Sequence, residues 1–232
     1  MNKIINEKLI ERNKKIGKIS SVAGIAILAV GLILNFNPTP TRMLISLGAL
    51  VLGFIISQIS TYYVTRFSRN PRFDEVIADN LSKLNNEYTL YVYESPVPIL
   101  LTGPTYLWLP VPVTVSGEIY YDQKWKQRKG SALLKLFGQD NIGQPVREAK
   151  DHQDQLQKFL QEILNEDEKP PVQPIFVLIN PKATIGDVEN APIPIVHLDA
   201  LRRKIRKFDR DAVEQIPPEI VQKINEQLIP KE

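Results

Sequence analysis

The residues able to do chemistry in this 232-residue chain are few and widely spaced. Asp122-Gln123-Lys124 sets a carboxylate and an ammonium two positions apart, and Glu94 or Glu118 could supply a second carboxylate. Such a set could hold a divalent cation, Mg²⁺ or Mn²⁺, and activate a water on it, because hard ions take oxygen ligands. Asp122 also reads as an ordinary solvated turn residue. His152 lies beside the apolar face of its helix and His197 at a strand end. With no cysteine and no second histidine near either, both read as structural. Trp108 and Trp125 read as packing anchors, since no aromatic and basic interleaving marks a single-strand channel. The densest charge is Arg202-Arg203-Lys204, Arg206-Lys207 and Arg210. On a helix these six could contact phosphates or anionic lipid, or form a solvated face balanced by acidic residues elsewhere. No residue is assigned as catalytic or as a metal ligand, and no cofactor is expected.

The elements that position these groups begin with a membrane hairpin. Residues 19 to 41 and 43 to 65 are two stretches of 23 residues without a charge, each long enough to cross a hydrocarbon core of roughly 30 Å. The spans are placed at 19–36 and 43–65. The turn Asn35 to Thr41 carries Pro38 and Pro40, both expected to break helix, and makes the spans antiparallel neighbours. Gly24 and Gly31 in the first span, with Ala49 and Gly53 in the second, offer surfaces for close approach. Cleavage of the first span as a signal sequence is disfavoured, because Leu32 to Asn37 holds no small-residue cleavage site and a second span follows at once.

Residues 1 to 72 hold 10 Lys and Arg against 2 Asp and Glu, whereas residues 73 to 232 hold 19 against 24. The overall charge of +3 thus conceals a soluble part of net −5. Lys3, Lys8, Arg12, Lys14, Lys15 and Lys18 before the first span, and Arg66, Arg69 and Arg72 after the second, place both termini in the cytoplasm of an inner or plasma membrane. The basic excess belongs to these flanks, so no global electrostatic argument for nucleic acid remains. The missing cysteines agree with a cytoplasmic domain, although any compartment tolerates such a chain.

Residues 1–18 are a cytoplasmic segment, in which Met1 to Gly17 reads either as an amphipathic helix on the membrane surface, from Ile5, Leu9 and Ile16, or as a solvated tail. Residues 66–72 are a linker, and 73–232 suffice for one domain with its own core. Phe73 to Asn86 has helical spacing. Tyr88 to Tyr93, Ile99 to Thr102, Tyr106 to Val115 and Glu118 to Tyr121 predict an antiparallel meander, in which Pro96, Pro98, Pro110 and Pro112 limit central pairing. A linker from Lys124 to Gly143 leads to a helix with Pro145 near its start. Pro174 to Ile179 is a strand covered on both faces, Asn180 to Pro192 a loop, and Ile193 to Val196 another strand. A helix with Leu198, Leu201, Ile205 and Phe208 inward follows, and then a break at Pro217-Pro218. The fold class is α/β or α+β, a mixed sheet flanked by helices behind a two-helix transmembrane hairpin.

Asp74-Glu75-Val76 with Leu81 and Leu84, Tyr88-Thr89-Leu90, Leu100-Leu101-Thr102-Gly103-Pro104, Gly117-Glu118-Ile119 with Trp125, Gln139 to Pro145, and Ile175-Phe176-Val177-Leu178 together resemble the nuclease-related domain family. The resemblance covers most of residues 73 to 229 and implies a restriction-endonuclease-like core. It also implies a metal-bound Asp just before the strand at Ile99 and a Glu-x-Lys on the strand before Gly117. Here those places read Pro96-Val97-Pro98 and Pro110 to Val115, without an ionisable group. The expected function is therefore a membrane-anchored, non-catalytic binding or scaffold module. Its partners would be the lipid bilayer and another protein, with nucleic acid a further candidate. The alternative is a nuclease acting on DNA or RNA with Mg²⁺ or Mn²⁺ at relocated ligands around Asp122.

Overall fold

A computed structural model describes residues 1–129 and 141–228. It divides into two units, Asn6–Phe73, and Met1–Ile5 with Asp74–Glu232.

The first unit is a helical hairpin of α1 (Glu7–Leu34) and α2 (Pro40–Tyr63), followed by a π-helical turn at Val64–Ser68. Both helices are long and apolar enough to cross a membrane, with mean hydropathy 2.1 over 18 residues of which only 17% are buried. Ile19, Val22, Ile25 and Leu32 of α1 and Leu44, Leu47 and Phe54 of α2 are exposed, as suits side chains solvated by lipid. The Asn6 side chain caps α1 by accepting from the Leu9 amide at 2.9 Å. Thr39 caps α2, and Pro40 occupies its first turn, where a missing N–H costs nothing. Pro38 lies in the turn as expected, whereas Pro40 starts a helix rather than breaking one.

The two helices meet along small residues. Gly17, Gly24 and Gly31 are buried on α1, and Ser46, Gly53 and Ser60 on α2. Both sets recur every seven residues, the period that keeps one stripe facing a partner helix. A Cβ at Gly31 would lie 3.1 Å from the Ala49 Cβ, and one at Gly53 only 2.6 Å from Leu28 Cδ2. The seam also carries polar groups. Ser46 Oγ donates to the Gly31 carbonyl at 2.8 Å, and Asn35 Nδ2 donates to Ser46 Oγ at 2.8 Å. At the other end the Ser21 and Ser60 hydroxyls are 2.5 Å apart, and Ser21 donates to the Gly17 carbonyl at 2.9 Å. Each hydroxyl finds its partner inside the hairpin, as a lipid environment requires.

The second unit is mixed α/β. Its strands are β1 (Asn2–Ile5), β2 (Thr89–Val92), β3 (Ile99–Thr102), β4 (Leu107–Val113), β5 (Gly117–Asp122), β6 (Lys124–Arg128), β7 (Val172–Leu178), β8 (Ala183–Ile185) and β9 (Ile195–His197). Its helices are α3 (Phe73–Leu81), α4 (Gly143–Ile163), α5 (Leu201–Asp211) and α6 (Pro218–Leu228). A six-stranded sheet has the order β1-β2-β3-β4-β7-β9, and a three-stranded sheet the order β6-β5-β8. β2, β3 and β4 form the expected antiparallel meander, while β1, β7 and β9 join in parallel.

Alternation along the strands sorts the side chains onto two faces. Leu90, Leu101, Trp108, Ile175 and Val177 pack with Ile77 and Leu81 of α3 and with Leu201 and Ile205 of α5. Tyr91, Leu100 and Leu109 pack with Leu156 and Leu160 of α4 and with Ile220 and Ile224 of α6. A further cluster joins Val111, Val113, Phe176 and Leu178 to Ile119 and Ala149. β7 is thus covered on both faces, as its unbroken apolar run predicts.

The prolines of β4 are read by the ladder. The Leu107 amide donates to the Pro171 carbonyl and the Val113 carbonyl accepts from Ile179, so odd-numbered residues of β4 bond toward β7. Pro110 and Pro112 face the β3 side, where pairing stops after Leu101 with Trp108. Their missing donors fall where no ladder needs them.

Three further expectations are corrected. Residues 2 to 5 are neither amphipathic helix nor solvated tail but a strand paired in parallel with β2, so residues 1–18 are divided between the two units. β5 leaves the meander for the smaller sheet, where β8 arises within the stretch read as a loop at 180–192. The linker at 124–143 begins as β6, and its residues 130–140, including Gln139 and Asp140 of the resemblance, lie outside the described residues.

Candidate functional site

The cationic residues Arg202, Arg203, Lys204, Arg206, Lys207 and Arg210 all lie on α5. The inner stripe of this helix, Leu201 and Ile205, is fully buried, and Phe208 stacks edge-on against Trp108 with ring centroids 5.4 Å apart. That burial fixes the rotation of α5 and turns Arg203, Arg206, Lys207 and Arg210 outward, where all four are exposed. The Arg206 guanidinium donates to the Lys83 carbonyl at 2.8 Å, and Arg210 pairs with Asp211 at 3.2 Å. The Lys204 ammonium stands 5.1 Å from the centre of the Phe208 ring. The Arg202 amide donates to Asn80 Oδ1 at 3.4 Å. Among the described residues, Arg203 and Lys207 make no ion pair.

Asp209 interrupts this basic run and points the other way. Its carboxylate accepts short hydrogen bonds from the Tyr88 and Thr105 hydroxyls. Burial pushes the Asp209 carboxyl above the ordinary range, and the bonds from Thr105 and Tyr88 oppose that shift. The buried Trp108 Nε1 stands close enough to favour the ionised carboxylate but does not reach hydrogen-bond geometry with it. The Tyr88 phenol is pushed up by burial and by its bond to Asp209. One carboxylate therefore ties α5 both to the residue before β2 and to the connection between β3 and β4. Sequence reasoning passed over Asp209, although its position four residues after Ile205 and eight after Leu201 puts it on the inward stripe.

The carboxylates around Asp122 are spread out. Asp122 and Lys124 face each other across the β5–β6 turn, where Gln123 has φ 58°. The Asp122 carboxylate is bound by Lys126 at 2.5 Å, which holds it below the usual carboxylate range. Glu118 pairs with Arg128 at 3.5 Å. Glu118 and Asp122 are four residues apart on one strand, which separates their Cα atoms by roughly 13 Å at ~3.3 Å per residue. Glu94 follows β2 in the other sheet. No group of three or more His, Cys, Asp or Glu side chains in a metal-binding arrangement is present among the described residues.

At the places where the resemblance implies metal ligands, Val97, Val111 and Val113 are 1%, 0% and 0% exposed and packed within apolar clusters. His152 is half-buried on α4, and His197 ends β9 opposite Leu178. Trp108 is fully buried, and Trp125 packs against Phe176 with centroids 5.1 Å apart. A cavity of about 360 Å³ is lined by Gln157, Leu160, Gln161 and residues 169–172, and its cation Lys169 is bound by Glu166 at 2.5 Å. Comparison with protein-family models, with curated proteins and with solved structures finds no match to the chain.

Proposed function

We propose that this protein is a membrane-anchored, non-catalytic module, with a soluble part like the nuclease-related domain, that serves as a binding or scaffold surface at the inner face of a plasma or inner membrane. Both termini are then cytoplasmic. The observation that carries the reading is the burial of Val97, Val111 and Val113 where that family's chemistry would need carboxylates and a lysine. A divalent ion entering there would lose its hydration and gain no oxygen ligand. The meander followed by α4 and by parallel β7 and β9 supports a restriction-endonuclease-like core as part of the same proposal. The partners are the bilayer and a protein met through the soluble unit.

The test is cleavage of single- and double-stranded DNA and RNA by the full chain with Mg²⁺ or Mn²⁺. The expected activity is no higher than that of Asp122→Ala. Cleavage abolished both by chelator and by this substitution would replace the proposal with a nuclease whose ligands have moved to the β5–β6 turn.

A further inference from the structure

We infer that the outward face of α5 is a docking surface for anionic lipid headgroups, which holds the soluble unit in one orientation against the bilayer. The inference rests on the membrane-anchored reading and adds to it a surface and the chemistry of what covers that surface.

Four observations support it. First, α5 carries six of the 19 Lys and Arg of residues 73 to 232 within nine positions, in a part whose net charge is −5. Second, the acidic residues of this helix pair with only one cation of its outer face, Arg210. Asp209 is turned into the clamp with Tyr88 and Thr105, and Asp211 is bound to Arg210 at the helix end. Third, Arg203 and Lys207, four residues apart on the exposed side, have no ion pair among the described residues. Fourth, Leu201, Ile205 and Phe208 on the opposite side hold α5 to the sheet, so the cations are presented by a helix with a fixed rotation.

Lipid is favoured over nucleic acid on charge and on connectivity. A long polyanion must approach a unit that is acidic overall, and its electrostatic binding needs an extended basic footprint. Headgroups need only local charge, and the short connection at 66–72 keeps them at high effective concentration around the soluble unit. Each Lys or Arg brought near an anionic surface then contributes about fivefold to the docked fraction relative to the undocked one.

The absence of cysteine allows one label to be placed at will. The full chain is reconstituted in vesicles of phosphatidylcholine alone, or with one third phosphatidylserine, carrying a fluorophore on Glu214→Cys just after α5 or on Glu162→Cys on α4. Quenching by bromine-substituted lipid reports proximity to the bilayer. The Glu214 site should be quenched in phosphatidylserine vesicles, lose most of that quenching in pure phosphatidylcholine or high salt, and exceed the Glu162 site throughout. Arg203→Gln with Lys207→Gln should lower the docked-to-undocked ratio about 25-fold. Both side chains are exposed and make no ion pair among the described residues, so circular dichroism of the double variant should match the parent. Equal quenching at both sites, or quenching indifferent to phosphatidylserine, would overturn the inference. So would release of quenching by an oligonucleotide at concentrations where the double variant ignores it, since α5 would then be a nucleic-acid surface. Nuclease activity is a separate readout, so failure of this docking and failure of the non-catalytic reading remain distinguishable.

Discussion

Replacing Asp209 by Ala should loosen α5 from the sheet, and the size of the loss follows from what the carboxylate does. It accepts from two hydroxyls, those of Tyr88 and Thr105, and hydrogen bonds to a charged group contribute about 1.5–3 kcal/mol each. Against this stands the cost of holding a half-buried carboxylate, which is what pushes its proton affinity up. Alanine removes both bonds and relieves that cost, for a net loss of about 2–3 kcal/mol, or roughly 6–10 °C in Tm for a domain of this size. Asparagine keeps one acceptor and no charge, and should lose about 1 kcal/mol. The pH dependence has a definite sign. A carboxyl raised in the folded state contributes stability that is whole below the ordinary aspartate range and is lost as pH rises through the raised value. The advantage of the parent over Asp209→Asn should therefore be largest in acid and shrink on the way to neutral pH. Urea unfolding of the full chain in detergent, followed by tryptophan fluorescence between pH 3.5 and 7, measures all three quantities. Losses below about 0.5 kcal/mol for both variants, or an advantage that grows with pH, would refute the clamp.

Two further outcomes concern the hairpin. A cysteine at Asn37 should react with an impermeant reagent from outside, and one at Val213, which is 99% exposed, only after the membrane is opened; the reverse pattern would refute the proposed orientation. Gly53→Leu should separate α1 from α2, because even a Cβ there lies 2.6 Å from Leu28 Cδ2, whereas Gly48→Ala meets nothing within 4 Å and should be neutral. Disulfide trapping between cysteines placed at Gly31 and Ala49 distinguishes the two, with efficient trapping lost only in the Gly53 variant.

What could be read from the chain depended on how local the determining interaction was. The two long apolar helices, the meander of β2 to β4 and the doubly covered β7 are written in runs of one residue class, and a window of a few residues reveals them. β1 is not of that kind. Asn2 to Ile5 pair with Thr89 to Val92, more than eighty residues away, and the lysines that follow suit a helix equally well. β8 is only three residues long, in a polar stretch held by register with Gly117 to Ile119. The seam of the hairpin was half visible, since glycines stand out, but the part played by Ser46 and Ser60 emerges only when two helices are laid together. The basic helix was legible as charge. Its inner side was less so, because Asp209 looks like one more surface acid until Tyr88 and Thr105 are brought to it.

The pairing of β1 with β2 sets an order of events during synthesis. The hairpin is the entire connection between two adjacent parallel strands, apart from α3 and short joints. β1 leaves the ribosome before either span, yet its partner emerges only after both have been made. If the two helices cross a membrane as proposed, the first strand must wait, unpaired, on the side from which they insert, while residues 6 to 73 are threaded. If one helix failed to insert, β1 and β2 would be stranded on opposite sides of the membrane and that edge of the sheet could not close. On the proposed membrane-anchored reading, completion of the sheet reports on insertion. A chain with a mis-threaded hairpin carries the unpaired edge that quality-control proteases and chaperones recognise.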